Sequence, residues 1–371
     1  MLKFHRSCVV IALALLAFAP RAQAQFGLPA EVTQSASALS DAQKTQVDQH
    51  IDAQMAKIES KEADKVKQAQ EIMAGRRAII EPLTAQASVP FRLAYAEKLE
   101  PRLKALIEHG NEMQQVNALV ISAELGTNRS LTLIALGRTN AAPSVRFQAA
   151  AATRRLLDSL VGVNAPAINE NDLRRLLQDT ANALTTEKDP QVTAGQISAL
   201  SAGLGLASVR QSAADRLSDS IAGIVCRAKS DPLHPRVMES MMAALDALRG
   251  QLLGGGGNVP AALTKSTADA ATCCLSHARA VISGQKVSPT KTETAAGRGE
   301  YAEFTALSQT VLQIAGQVAV PAVAIPPAAN LAQDINANNA KADADAVKAV
   351  GASIDAAVAG FKVIGDPCKR K

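Results

Sequence analysis

Apolar residues recur along this chain at helical spacing, three or four apart, and nowhere in the alternating β-branched runs that build a sheet. Between Asp41 and Gly75 the apolar positions Val47, Ile51, Met55, Ile58, Val66, Ala69 and Met73 fall on one narrow stripe. Lys57, Glu59, Lys61, Glu62, Asp64 and Lys65 occupy the rest. The pattern predicts one long charged helix, opened by Ser40-Asp41, that lies along the body or caps it. A dimerising coiled-coil seam is the other use of such a stripe. Pro82 and Pro90 punctuate the join to a helix over roughly 91–109, ended by Gly110-Asn111. Helices follow over about 111–125, 129–138, 143–161, 170–187, 190–204, 207–229, 234–252 and 259–284, with Gly, Asn or Pro at most junctions. A polar stretch over 286–299 reads as an exposed loop, followed by a helix over about 300–318. The apolar run 320–329 is broken by Pro321, Pro326 and Pro327, so it is expected to lie extended along the body. A last helix spans about 339–361.

Within this series a phrase returns three times: Pro143-Ser144-Val145, Pro190-Gln191-Val192 and Pro235-Arg236-Val237. The valines lie 47 and 45 residues apart, the interval of a two-helix unit that must stack on its neighbours to bury its apolar face. Proline suits a first helical turn, and Asp189 and Asp231 stand upstream where a carboxylate caps a helix. Five, seven and eight residues after each valine come the columns Ala150/Ile197/Met242, Ala152/Ala199/Ala244 and Thr153/Leu200/Leu245. The first and third columns belong to one helical face, and the second holds a small residue in every copy, as expected where two helix backbones approach. The helices beginning at these valines are expected to present residues such as Arg146, Gln148, Thr193 and Glu239 at repeated intervals.

The run Val145-Arg146-Phe147-Gln148-Ala149-Ala150 after Pro143 resembles the Pro-x-Val-Arg-x-x-Ala-Ala signature of HEAT-like repeats. The segment from Val116 to Gly126 resembles the same helix one repeat earlier. It precedes Val145 by 29 residues, similar to the shorter spacing of the phycobilisome-lyase type of HEAT-like repeat. Thr193 and Met238 stand where the family has arginine. The resemblance covers roughly residues 90–285. It implies an all-α fold, an α-solenoid of helix pairs with a surface for interactions, to which the residue pattern adds a long N-terminal helix and a C-terminal helical extension. No catalytic residue and no cofactor carry over from it.

The chain opens with a short basic region, Met1 to Arg6, and a continuous apolar run from Cys8 to Ala19. Ala22-Gln23-Ala24 supplies the small-x-small pattern of a signal-peptidase site, so cleavage is expected between Ala24 and Gln25. The expected organisation is therefore a secretory signal over 1–24, a flexible segment and charged helix over 25–89, helical repeats over 90–285, and a C-terminal extension over 286–371. Removing Lys3, Arg6 and Arg21 takes the basic count from 39 to 36 against 34 acidic residues, a formal charge of +2. With no basic stripe, no Trp and two Tyr, the composition argues against nucleic-acid binding and aromatic-lined sugar or peptide grooves. The mature chain reads as secreted or periplasmic and not as an integral membrane protein.

Four cysteines remain after the signal: Cys226, Cys273, Cys274 and Cys368. An exported protein with an even count favours disulfides. Cys226 and Cys273 are one repeat apart, yet equivalent positions on neighbouring helices lie about 8–10 Å apart, and a bridge needs Cα atoms within about 7 Å. The expected pattern joins Cys226 to one of the vicinal pair and Cys368 to the other, pinning the tail to the stack. The competing chemistry is a metal or thiol-redox site at Cys273, Cys274 and His277, completed by Cys226 or His234. His50 and His109 read as solvent-facing, and the glycine run 254–257 lacks the flanking strand and Lys-Ser/Thr of a phosphate loop. The leading expectation is an exported, non-catalytic scaffold that binds another protein or an envelope component. A metal or thiol-redox protein and a self-assembler using the N-terminal helix, such as a homodimer, are the alternatives.

Overall fold

The computed structural model describes residues 27–83, 86–162, 167–254, 259–328 and 330–369. The expected signal segment and its cleavage site at Ala24 and Gln25 lie outside the described residues. Among the described residues every regular element is a helix, and an isolated bridge between Ser288 and Gly297 is the nearest approach to a strand. The N-terminal part comprises α1 (Ala30–Thr33), α2 (Asp41–Ile58), α3 (Lys65–Ile80), α4 (Val89–His109), α5 (Glu112–Leu125) and α6 (Asn128–Arg138). The middle holds α7 (Pro143–Leu160), α8 (Glu170–Thr186), α9 (Pro190–Ala202), α10 (Arg210–Ala228), α11 (Pro235–Gly254) and α12 (Ala261–Ser283). The chain ends with α13 (Arg298–Val318), α14 (Leu331–Asn336) and α15 (Ala340–Phe361). No described helix is long and apolar enough to cross a membrane.

Helices pack chiefly on the helix two places on, which sorts them into two rows. One row is α3, α5, α7, α9, α11 and α13; the other is α4, α6, α8, α10, α12 and α15. The repeated phrase is the hinge of this arrangement. Pro143, Pro190 and Pro235 each stand at the first helical position, and Asp189 Oδ1 accepts from the Gln191 and Val192 amides as an N-cap. Asp231 does not cap; its carboxylate pairs with Lys286 at 2.7 Å. The three valines and the columns Ala152/Ala199/Ala244 and Thr153/Leu200/Leu245 are all buried, and in the third column only Met242 reaches partly to the surface.

Two expectations about exposure fail. Thr193 is buried. Arg146 is drawn into a two-pronged ion pair with Glu187, at 2.8 and 3.0 Å, in the turn between α8 and α9. Packing of α7 against α9 takes both.

The long N-terminal helix is also corrected: it is two helices, α2 and α3, folded against each other. Residues 59–64 leave the helical path, and Asp64 Oδ1 recaps the chain by accepting from the Val66 and Lys67 amides. The stripe therefore changes phase. Val47, Ile51, Met55 and Ile58 are buried in α2, whereas α3 buries Gln68, Ile72, Gly75 and Ile79 and exposes Val66 and Met73. Gly75 sits where any Cβ would come 2.7 Å from the Gln54 carbonyl oxygen, so the hairpin closes through that glycine. The same packing half-buries His50, whose Nε2 lies 3.2 Å from the Ala78 carbonyl oxygen.

At the other end, the proline-broken run does lie extended between helices. The Val323 amide donates to the Gly316 carbonyl on α13, and the Pro326 carbonyl accepts from Gln309 of α13 and Ser353 of α15. Arg298 fastens the start of α13 through a buried ion pair with Asp343 of α15 at 2.7 Å and a hydrogen bond to the Ile335 carbonyl.

Candidate functional site

The chemistry-bearing residues gather on α12, where helical spacing puts Cys273, Cys274 and His277 within one turn. Both thiols are fully buried and neither is in a disulfide. Burial pushes the Cys274 thiol well up, its neighbour Cys273 adds to this, and a hydrogen bond with Ser308 of α13 opposes it. Such a thiol stays protonated and is a poor nucleophile.

His277 is buried too, and both of its ring nitrogens are engaged. Nδ1 lies 3.0 Å from the Lys229 carbonyl, which can only accept, so the ring carries its proton there. Nε2 is then an acceptor for the Tyr301 hydroxyl at 2.9 Å, whose oxygen in turn accepts from the Leu233 amide at 3.0 Å. Burial lowers the His277 pKa to about 4, against the Lys229 hydrogen bond and the Asp231 charge, both of which raise it. The ring works as a neutral strut between α12, α13 and the turn after α10.

That geometry does not assemble the competing metal set. Cys226 is bonded to Cys368, the His234 Nδ1 accepts from the Arg236 amide, and His277 has no nitrogen to spare. Among the described residues no group of three or more His, Cys, Asp or Glu side chains is placed to hold an ion. The disulfide pattern is likewise corrected: Cys226 joins Cys368 and not one of the vicinal pair. The tail brings its Cα to 5.0 Å from that of Cys226 across 142 residues, while Cys273 and Cys274 face the helix packing. Pinning of the tail to the stack is nonetheless what the bond achieves.

The disulfide walls a cavity of about 440 Å³ between α10, α12, α15 and the C-terminal segment. Lys229, Ser230, His277 and Asp366 line it, with Val225 and Ile354 as an apolar floor. Arg279 lies across Gly351 of α15, where a Cβ would come 3.3 Å from its Cζ.

Sequence reasoning missed Tyr301, which completes the His277 network. A signal was present: the chain has two tyrosines, Tyr95 and Tyr301, and both are buried with a hydrogen-bonded hydroxyl.

A second candidate is the outer face of the α7, α9 and α11 row. Two, six and nine residues after the repeat valines come the columns Phe147/Ala194/Glu239, Ala151/Ser198/Ala243 and Arg154/Ser201/Asp246, and every member is partly or fully exposed. Phe147 is 40 % exposed and lies over Gly195, and Arg154 donates to Ser198 at 2.9 Å. Of the expected residues, Gln148 is half-buried and Glu239 is exposed and pairs with Lys291 at 3.0 Å. Helix α9 has no charged residue between Pro190 and Ala202. No protein-family model matches the chain, and no curated protein is significantly similar to it.

Proposed function

We propose that this chain is an exported, non-catalytic α-solenoid of HEAT-like helix pairs that binds another protein along the outer face of α7, α9 and α11. One observation carries the reading: three columns recur at the repeat interval on an exposed face, and the middle helix has no charge and contributes Ala194, Ser198 and Ser201 to those columns. Such a strip is inexpensive to desolvate, and exposed Phe147 of α7, lying against Gly195 of α9, offers an aromatic anchor. The local pairs Arg154–Asp158 and Asp246–Arg249 sit at its margins as a polar rim. Export rests on the N-terminal pattern of residues 1–24 and agrees with a disulfide, which persists in oxidising compartments.

The test is a photo-crosslinking residue introduced at position 194 or 198 in the cells that make the protein, with position 265 on the other row as control. A discrete adduct from both test positions, absent from the control and diminished by Phe147→Glu, is the expected result. No adduct from either position, or the same adduct from position 265, overturns the reading. An adduct of twice the chain's mass assigns the face to self-association instead.

A further inference from the structure

The second row of helices is interrupted: α6 and α8 barely touch, and a cleft of about 440 Å³ opens between them. Arg138, the last residue of α6, has its side chain nine-tenths buried there, at 10 % exposure. Among the described residues its one ionic partner is Asp179 of α8 at 3.8 Å, longer than a hydrogen bond. Its guanidinium donates no hydrogen bond to any described residue, although it carries five N–H donors in a planar fork. Removing such a group from water without supplying acceptors is costly, and burial duly lowers its pKa against the opposing charge of Asp179. Arg175 opens onto the same cleft and makes neither an ion pair nor a hydrogen bond with the described residues.

The rest of the lining restricts what fills this space. Leu131 and Leu136 of α6 and Leu176 of α8 add hydrocarbon to its lining. Asp172 and Asp179 place two carboxylates in the same cleft, so a dianion such as phosphate meets like charges. A single carboxylate matches the guanidinium fork with two parallel hydrogen bonds and brings one charge only. We infer that the cleft between α6 and α8 binds a small monocarboxylate, its carboxylate on Arg138 and Arg175 and its short hydrocarbon chain on Leu131, Leu136 and Leu176. The site lies on the row opposite the proposed protein-binding face, and neither reading depends on the other.

Saturation-transfer NMR on the full mature chain tests this with butyrate, acetate, hexanoate and inorganic phosphate as probes. Butyrate is expected to receive saturation on its methyl and methylene protons and to bind more tightly than acetate. Arg138→Met is expected to weaken butyrate about tenfold or more, as loss of charge-assisted hydrogen bonds would. Arg175→Gln should weaken it less. Thr132→Trp fills the cleft while keeping Arg138, and is expected to abolish binding with the circular dichroism of the fold intact. Absence of transfer to both butyrate and hexanoate overturns the inference, as does unchanged binding in Arg138→Met and Thr132→Trp. Displacement of butyrate by an equal concentration of phosphate overturns the carboxylate assignment.

Discussion

His277 shows how far one residue's role depends on partners outside its own helix. Its ordinary pKa of 6.5 falls to about 4 because the neutral ring is buried between Lys229 and Tyr301. Between those two values the unfolded chain binds a proton that the native chain does not, so stability rises with pH across this window. It is fully present above pH 6.5 and is lost as pH falls toward 4. The shift corresponds to roughly 3 kcal/mol between the two ends. Urea midpoints measured from pH 7.5 to 4 are expected to decline, and His277→Gln should flatten the decline over that interval. An equal slope in the variant would show that carboxylates alone cause it. Tyr301→Phe should cost about 1–3 kcal/mol, because it strips a partner from both His277 and the Leu233 amide. The sequence placed Cys273, Cys274 and His277 together correctly, since helical spacing is local. It gave no view of their occupation: Tyr301 is 24 residues away, and the Lys229 carbonyl is 48 residues away and belongs to the backbone.

At the scale of elements, helix boundaries were legible where proline or glycine marks them. The start of each repeat helix fell within a residue or two of its proline. The break between α2 and α3 was not legible, because residues 59–64 contain neither Pro nor Gly, and Val66 continues the apolar spacing from Ile58. Tertiary packing chose a different face of α3, led by Ile72 and Ile79, and exposed Val66. Glycine use separates packing from propensity in the same way. In α13 a Cβ at Gly316 would press on the Val323 backbone oxygen, and in α15 one at Gly360 would press on the Val323 side chain. Val323 is thus seated between two helices through two glycines. Alanine in a helix is ordinarily worth about 0.5–1 kcal/mol over glycine. Gly250→Ala in α11, where nothing lies within 4 Å, should show that gain in the denaturation midpoint. Gly316→Ala should instead lose about 1–3 kcal/mol, since the obstructing atom is backbone. A gain at both positions would mean that the extended run is not seated on α13.

For the whole molecule, the sequence carried the all-α class, because it is written in the periodicity of the apolar positions. It did not carry the pairing of cysteines, which depends on where the tail returns. Repeat equivalence argued that Cys226 and Cys273 stand an axis spacing apart, and the fold resolves that difficulty by bringing Cys368 to Cys226. The bond closes 142 residues of chain, so it restricts the unfolded ensemble over the span from α10 to the C-terminus. On the chain-entropy account this is worth about 5 kcal/mol, and measured losses of native disulfides run at about 2–5 kcal/mol. The double variant Cys226→Ser with Cys368→Ser is therefore expected to lose stability in that range and to expose the segment after α15 to proteolysis. Peptide mapping of the wild-type protein should find Cys226 and Cys368 joined, with Cys273 and Cys274 alkylated only after unfolding. Native alkylation of Cys273 or Cys274 would contradict their place in the core and reopen thiol chemistry on α12. Unchanged stability in the double variant would mean that packing of α15 on α12, rather than the covalent tie, holds the C-terminal extension to the stack.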